Sequence, residues 1–208
     1  MKVRFHVTGF GPFFGVEKNP TELKDIIEIQ SVSVLQKVAA VDTLLTLHEL
    51  QLEQTRVTES SEGQSETDQT VWLHMGVGTQ TPEYNLEKFG WNEATFRAPD
   101  QRGWSPNKQA LLPKIYPSIN QNLTTSLSPK LDDMIAQLKQ EGHAVEISED
   151  PGRFLCNFVF FHSLHYCQQR QNNHALFLHV PSFQLIKKEE QLAFVRFLID
   201  TIAKNLTR

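Results

Sequence analysis

Residues 145–180 read VEISEDPGRFLCNFVFFHSLHYCQQRQNNHALFLHV, and this stretch decides the architecture. Two short apolar runs, 145–147 and 175–180, flank a helical pattern over 153–169. The run at 175–180 is continuous rather than alternating, which suits a strand buried on both faces. Strand, Pro-Gly turn, helix and strand in succession mark an α/β protein.

The same alternation extends outward in both directions. Further strands are predicted over 3–8, 38–41 and 71–77, and further helices over 21–29, 43–52, 129–141 and 188–206. The last helix carries Leu192, Val195, Ile199, Ile202 and Leu206, a stripe at helical spacing that faces a core. Ser128 suits an N-cap and Gly142 a C-terminal stop for the helix between them. The pattern predicts a mostly parallel sheet with helices on both faces. Sites in such sheets form where strands end. The loops after Thr8, Val77 and Ile147, and the strand end at His179, are therefore the places to search.

The 208 residues suit a single domain spanning 1–208. Residues 53–70 are polar and acidic and are expected to be a surface insertion. Residues 98–128 are rich in Pro, Asn, Gln and Ser and are expected to form a long loop. Twenty basic residues against 24 acidic ones leave a net charge of −4. With no basic cluster, this argues against binding nucleic acid or a membrane surface. No apolar run reaches transmembrane length, and the opening residues are too short an apolar run for a secretory leader.

The two cysteines, Cys156 and Cys167, fall within one predicted helix, roughly 16 Å apart along its axis. A disulfide needs Cα atoms within about 7 Å, so both thiols stay free, as in a reducing, cytoplasmic setting. No cluster has zinc-ligand spacing, and the nearest approach, His162 with His165, is read as ordinary helix surface or core.

Cys156 lies just after a Pro-Gly turn, in the first turns of a helix. Free backbone N–H groups there favour a thiolate and can hold an oxyanion. Local context alone also suits a buried structural cysteine. His179 is a polar residue at the end of an apolar strand, placed to act as a base toward a thiol. Glu83, Glu87 and Glu93 all lie near a strand end, and pattern alone does not choose among them. Glycines at 9, 11 and 15 bring backbone close to a site, with Phe10, Phe13 and Phe14 as an aromatic wall. Pro12 and the absence of a following Gly-Lys-Ser/Thr exclude a phosphate-binding loop.

Together these motifs resemble pyroglutamyl peptidase type I, also called pyrrolidone-carboxylate peptidase. Thr8-Gly-Phe-Gly-Pro-Phe followed by Asn19-Pro-Thr is similar to its opening. Gly152-Arg-Phe-Leu-Cys-Asn is similar to its cysteine motif, and Leu178-His-Val-Pro to its histidine motif. The resemblance implies a three-layer α/β/α sandwich and a triad of Cys156 as nucleophile, His179 as base and an acidic residue. Thr81-Pro-Glu83 resembles one acidic motif. The spacing from Gly76, the string Asn85-Leu-Glu-Lys and Arg97-Ala-Pro-Asp ten residues later favour Glu87 instead. By the same resemblance Phe10, Phe13, Phe154 and Leu155 hold the pyrrolidone ring, and Arg97 supports the oxyanion or the substrate. Val77 stands where some bacterial members carry a ring-contacting glutamine, so only its backbone can serve.

The expected activity is removal of N-terminal pyroglutamyl residues from peptides, with no cofactor and no metal. Homo-oligomerisation stays open. Two alternatives remain beside it. A nucleoside-phosphorylase-like enzyme of similar architecture would need a phosphate site, and no convincing Gly/Arg/Ser cluster is present. A non-catalytic binder of modified peptide N-termini would not need the intact Cys156, His179 and Glu87 set.

Overall fold

The computed structural model describes residues 1–11, 19–21, 33–39, 43–59, 66–79 and 81–207. In chain order the elements are β1 (Val3–Phe10), β2 (Ser33–Ala39), α1 (Thr43–Glu59), β3 (Gln69–Thr79), β4 (Tyr84–Glu87), β5 (Phe89–Trp91), β6 (Asn122–Thr124), α2 (Leu131–Gln140), β7 (Val145–Ser148), α3 (Leu155–Gln168), β8 (Asn173–Pro181) and α4 (Lys188–Thr207). Six strands form one sheet in the order β2-β1-β3-β8-β4-β7, and β5 and β6 pair separately.

Strands β2, β1, β3 and β8 are mutually parallel. β4 runs antiparallel to β8, and β7 runs parallel to β4. The sheet is thus mostly parallel, with a reversed pair at one edge. The strand that feeds Cys156, β7, therefore does not end on the same side as β8, and β4 lies between the two.

Side chains alternate across the sheet with period two. Val3, Phe5 and Val7 of β1, Val71, Leu73 and Met75 of β3, and Leu176, Leu178 and Val180 of β8 share one core with α2 and α4. Trp72, Ala175 and Phe177 face the other way, onto α3 and Leu50 of α1. Each fully buried aliphatic or aromatic side chain contributes about 1.5–3 kcal/mol relative to exposure, and the two cores fix both helical layers to the sheet.

Several boundaries differ from the sequence reading. β2 covers Ser33–Ala39 rather than 38–41; Gln36 and Lys37 interrupt the apolar pattern, as an edge strand tolerates. α1 continues to Glu59, so the first seven residues of the expected 53–70 insertion are helix, and β3 begins at Gln69. Those residues include polar helix formers, with Glu53 and Arg56 paired at 3.4 Å, and show little apolar periodicity. Ser128 does not cap α2; it opens a 3-10 turn over Ser128–Lys130, and α2 starts at Leu131. Gly142 does end the helix, at φ +86°. The Gly142 N–H donates to the Lys139 carbonyl at 3.0 Å and the His143 N–H to that of Leu138 at 3.2 Å. The helix expected over 21–29 lies outside the described residues except for Thr21.

Within residues 98–128, the stretch 111–118 is held by one buried side chain, Asn92. Its Oδ1 accepts from the N–H groups of Leu111 and Leu112, both at 3.0 Å. Its Nδ2 donates to the carbonyls of Tyr116 and Ser118. An ordered segment of this kind needs no secondary-structure period, so its sequence reads as loop.

Candidate active site

β1 ends in Gly9-Phe10-Gly11, and residues 19–21 lock that end in place. The Phe10 N–H donates to Thr21 Oγ1 at 3.0 Å, and Asn19 Nδ2 donates to the Gly11 carbonyl at 3.0 Å. A Cβ on Gly9 would lie 1.9 Å from the Thr21 carbonyl oxygen. Residue 9 must therefore be glycine for the Asn-Pro-Thr segment to sit against the strand. The clamp leaves Phe10 in the wall of a cleft of about 560 Å³.

Cys156 is the second residue of α3. Phe154 precedes the helix in extended conformation and gives no side-chain cap. The first-turn N–H groups of α3 lie ahead of the helical ladder and remain available to an anion. The turn before it is shaped by Asp150, whose Oδ1 accepts from the Gly152 N–H at 3.0 Å. Gly152 sits at φ +77°, a conformation that costs glycine little. The thiol rests on Gly76 of β3, where a Cβ would come within 2.8 Å of Sγ.

His179, on β8, is the register partner of Gly76. Its Nδ1 lies 2.7 Å from Glu87 Oε1, and its ring is hydrogen-bonded to Cys156 on the other side. Glu87 is 1% exposed, and its Oε2 has no hydrogen-bond partner among the described residues. A carboxylate so buried is sustained by its charged partner. Burial works against the His179 imidazolium. The Cys156 charge and hydrogen bond, followed by the Glu87 hydrogen bond and charge, outweigh burial and push the histidine up to about 10. Gly78 completes the seat: a Cβ there would meet His179 Cδ2 at 2.4 Å. A second sheet histidine, His74, behaves oppositely. Burial, then His6, pushes it down to about 3, and as a neutral ring it bonds Thr8 Oγ1 at 2.7 Å.

The structure brings Phe10, Val77, Glu87, Arg97, Phe154, Leu155, Cys156 and His179 into the walls of this one cleft. Phe13 lies outside the described residues. The three glutamates separate by environment. Glu83 is exposed. Glu93 is held by Arg153 Nε at 3.2 Å and by the Thr95 hydroxyl at 2.6 Å. Only Glu87, of these three, meets the histidine. Arg97 is exposed, with its guanidinium 5.9 Å from the centre of the Phe154 ring. His162 is pushed down to about 4 by burial and then by His165, and both line a different groove. Among the described residues no group of acidic, histidine and cysteine side chains is arranged to hold a metal, and no helix is long and apolar enough to cross a membrane.

Sequence reading missed two contributors. β4, which carries Glu87, is only four residues long, too short to complete a pattern. Asn157, beside the thiol, is fully buried. Its amide accepts from the Trp91 N–H at 2.7 Å and donates to the carbonyls of Trp91 and Glu93. A polar residue on the otherwise apolar run Phe158-Val159-Phe160-Phe161 was the available signal.

A thiol, an imidazole and a buried carboxylate in series at the edge of an α/β sheet are the parts of a cysteine hydrolase. The comparisons with known proteins narrow that class. A family model described as pyroglutamyl peptidase matches residues 1–206, and the chain belongs to that family. Among curated relatives, the pyrrolidone-carboxylate peptidase of Enterobacter sp. (strain 638) is 26% identical over 176 residues, covering 84% of this chain and 76% of the relative. That of Pyrococcus furiosus is 27% identical over 180 residues, covering 84% and 79%. In fold, the chain matches the pyrrolidone carboxyl peptidase structure from P. furiosus with TM-score 0.79 at 22% identity, over 98% of this chain and 99% of that one. The Thermus thermophilus structure matches with TM-score 0.72 at 23% identity, over 95% and 99%. The family match sets aside the phosphorylase-like reading.

Proposed function

We propose that Cys156, His179 and Glu87 carry out the removal of N-terminal pyroglutamyl residues from peptides, the activity that the family membership assigns to this chain. The observation that carries the reading is the series itself: thiol to imidazole to a buried carboxylate at 2.7 Å. The Cys156 thiolate attacks the acyl carbon attached to the lactam ring, and a C–S bond forms. Negative charge moves to the carbonyl oxygen, where the first-turn N–H groups of α3 receive it. Arg97, on the cleft wall, supports the same charge or the substrate. The C–N bond then breaks as imidazolium His179 gives its proton to the leaving amine. Water, deprotonated by His179, hydrolyses the thioester and restores the thiol. Glu87 fixes the imidazole tautomer and offsets its charge throughout.

Specificity follows from desolvation. The pyrrolidone ring carries no ammonium group, whereas an ordinary peptide N-terminus does. Phe10, Phe154 and Leu155 offer an apolar wall to the ring. Burying a charged amine against that wall without a partner costs several kcal/mol. No cofactor enters any step.

Release of a fluorophore from a pyroglutamyl arylamide tests the reading. Wild type is expected to turn over, and Cys156→Ala to lose turnover by at least about 10³-fold. Unchanged activity in that variant would remove Cys156 from the mechanism.

A further inference from the structure

The sheet row that holds the base does not stop at His179. Gly76, His179 and Asn85 lie side by side on β3, β8 and β4, in register. Asn85 and Glu87 are two apart on β4 and so face the same side of the sheet. Tyr84 and Leu86, the alternate residues, enter the opposite core. Asn85 is half-buried and lines the cleft. Among the described residues its side chain makes no hydrogen bond, unlike Asn19, Asn92 and Asn157, whose amides are all engaged in holding backbone.

The order across this row is chemically directional. Cys156 Sγ sits over Gly76, on the β3 side of His179. Asn85 sits on the β4 side, with its Cβ about 5 Å from that of His179 as an antiparallel register partner. The acyl group of the substrate is joined to sulfur. The leaving amine must lie toward the imidazole that protonates it. The peptide chain beyond the leaving nitrogen therefore extends past His179, toward Asn85.

We propose that Asn85 is a substrate-binding residue for the leaving side of the peptide, its amide hydrogen-bonding the main-chain carbonyl or N–H of the residue after pyroglutamate. This rests on the proposed function above. An amide suits the task because it both donates and accepts and so fits a peptide backbone whatever the side chain attached. The free cleft-facing amide thereby selects a peptide over a leaving group that has no further backbone.

Two substrates separate this role from the alternatives. One is a pyroglutamyl arylamide, which has no peptide backbone beyond the scissile nitrogen. The other is a pyroglutamyl dipeptide amide, which has one. Asn85→Ala is expected to lower kcat/KM for the dipeptide amide about three- to tenfold, the effect of one neutral hydrogen bond. The arylamide is expected to change less than about twofold. Asn85→Ser, with a shorter hydroxyl, should fall between wild type and Asn85→Ala on the dipeptide amide and match wild type on the arylamide. Equal losses on both substrates in both variants would overturn the proposal, because the residue would then act through His179 or through folding. No loss on either substrate would overturn it as well. Wild type inert to both substrates would instead defeat the proposed function, and this inference with it.

Discussion

At the scale of single residues, the site depends on how His179 holds its charge. Burial opposes the imidazolium, but the Cys156 charge and Glu87 outweigh it and carry the ring up to about 10. The proton needed by the leaving amine is present below that value and is lost as pH rises through it. The alkaline limb of kcat/KM is therefore expected near pH 10. Glu87→Gln removes a carboxylate that stabilises the charged ring, so the limb should move to lower pH and kcat should fall by about 10²–10⁴-fold. Glu83→Gln, at an exposed position, should leave both unchanged. A pH series of initial rates on the three proteins decides it, and the reverse ranking would make Glu83 the acid. Cys156 and His179 were legible in the sequence because each is an anomaly at an element boundary. Glu87 was not singled out by residue pattern, since three glutamates share similar surroundings on paper; only the motif spacing of the family resemblance favoured it over Glu83, and in the structure burial separates it from the other two.

At the scale of elements, two glycines on β3 set how closely neighbours approach. Gly78→Ala would drive a methyl to 2.4 Å from the His179 ring, and Gly76→Ala would place one 2.8 Å from the thiol. Both substitutions should cut kcat by at least about tenfold by displacing reactive groups, while thermal unfolding changes little beyond the strain at that point. Circular dichroism melts beside arylamide assays would show the split. Asn157 joins α3 to Trp91 of β5 and to Glu93 just beyond it through three hydrogen bonds. Asn157→Ala leaves the Trp91 and Glu93 backbone groups unpaired and should cost about 3 kcal/mol in chemical denaturation. The long elements were readable from their apolar periods. The short strands β4, β5 and β6 were not, because three or four residues do not complete a pattern. The path of 98–128 was hidden because it is held by scattered side-chain and backbone contacts, among them those of Asn92, Asp100 and Thr125, rather than by any repeat.

At the scale of the whole molecule, the two cores are separate bodies of apolar contact divided by the sheet. The site lies on the α3 face alone. Leu198, fully buried in the α4 core, is remote from the cleft. Leu198→Ala should lower stability by about 2–5 kcal/mol yet leave kcat/KM within about twofold at temperatures where the protein stays folded. Urea unfolding and steady-state assays on the same preparation would check both halves, and a large loss of turnover in the folded variant would contradict the separation. The layered class was visible in the alternation of runs, whereas strand direction was not. Nothing in the composition of β4 or β7 records which way it points. The reversed β4 must also hold its register against β8. Because side chains alternate, a slip of one residue along β8 would bring Leu86 under His179 and turn Glu87 into the apolar core. The burial of Tyr84 and Leu86, which touch no reacting atom, therefore behaves as a catalytic parameter, because it holds the register that keeps Glu87 on the side of His179.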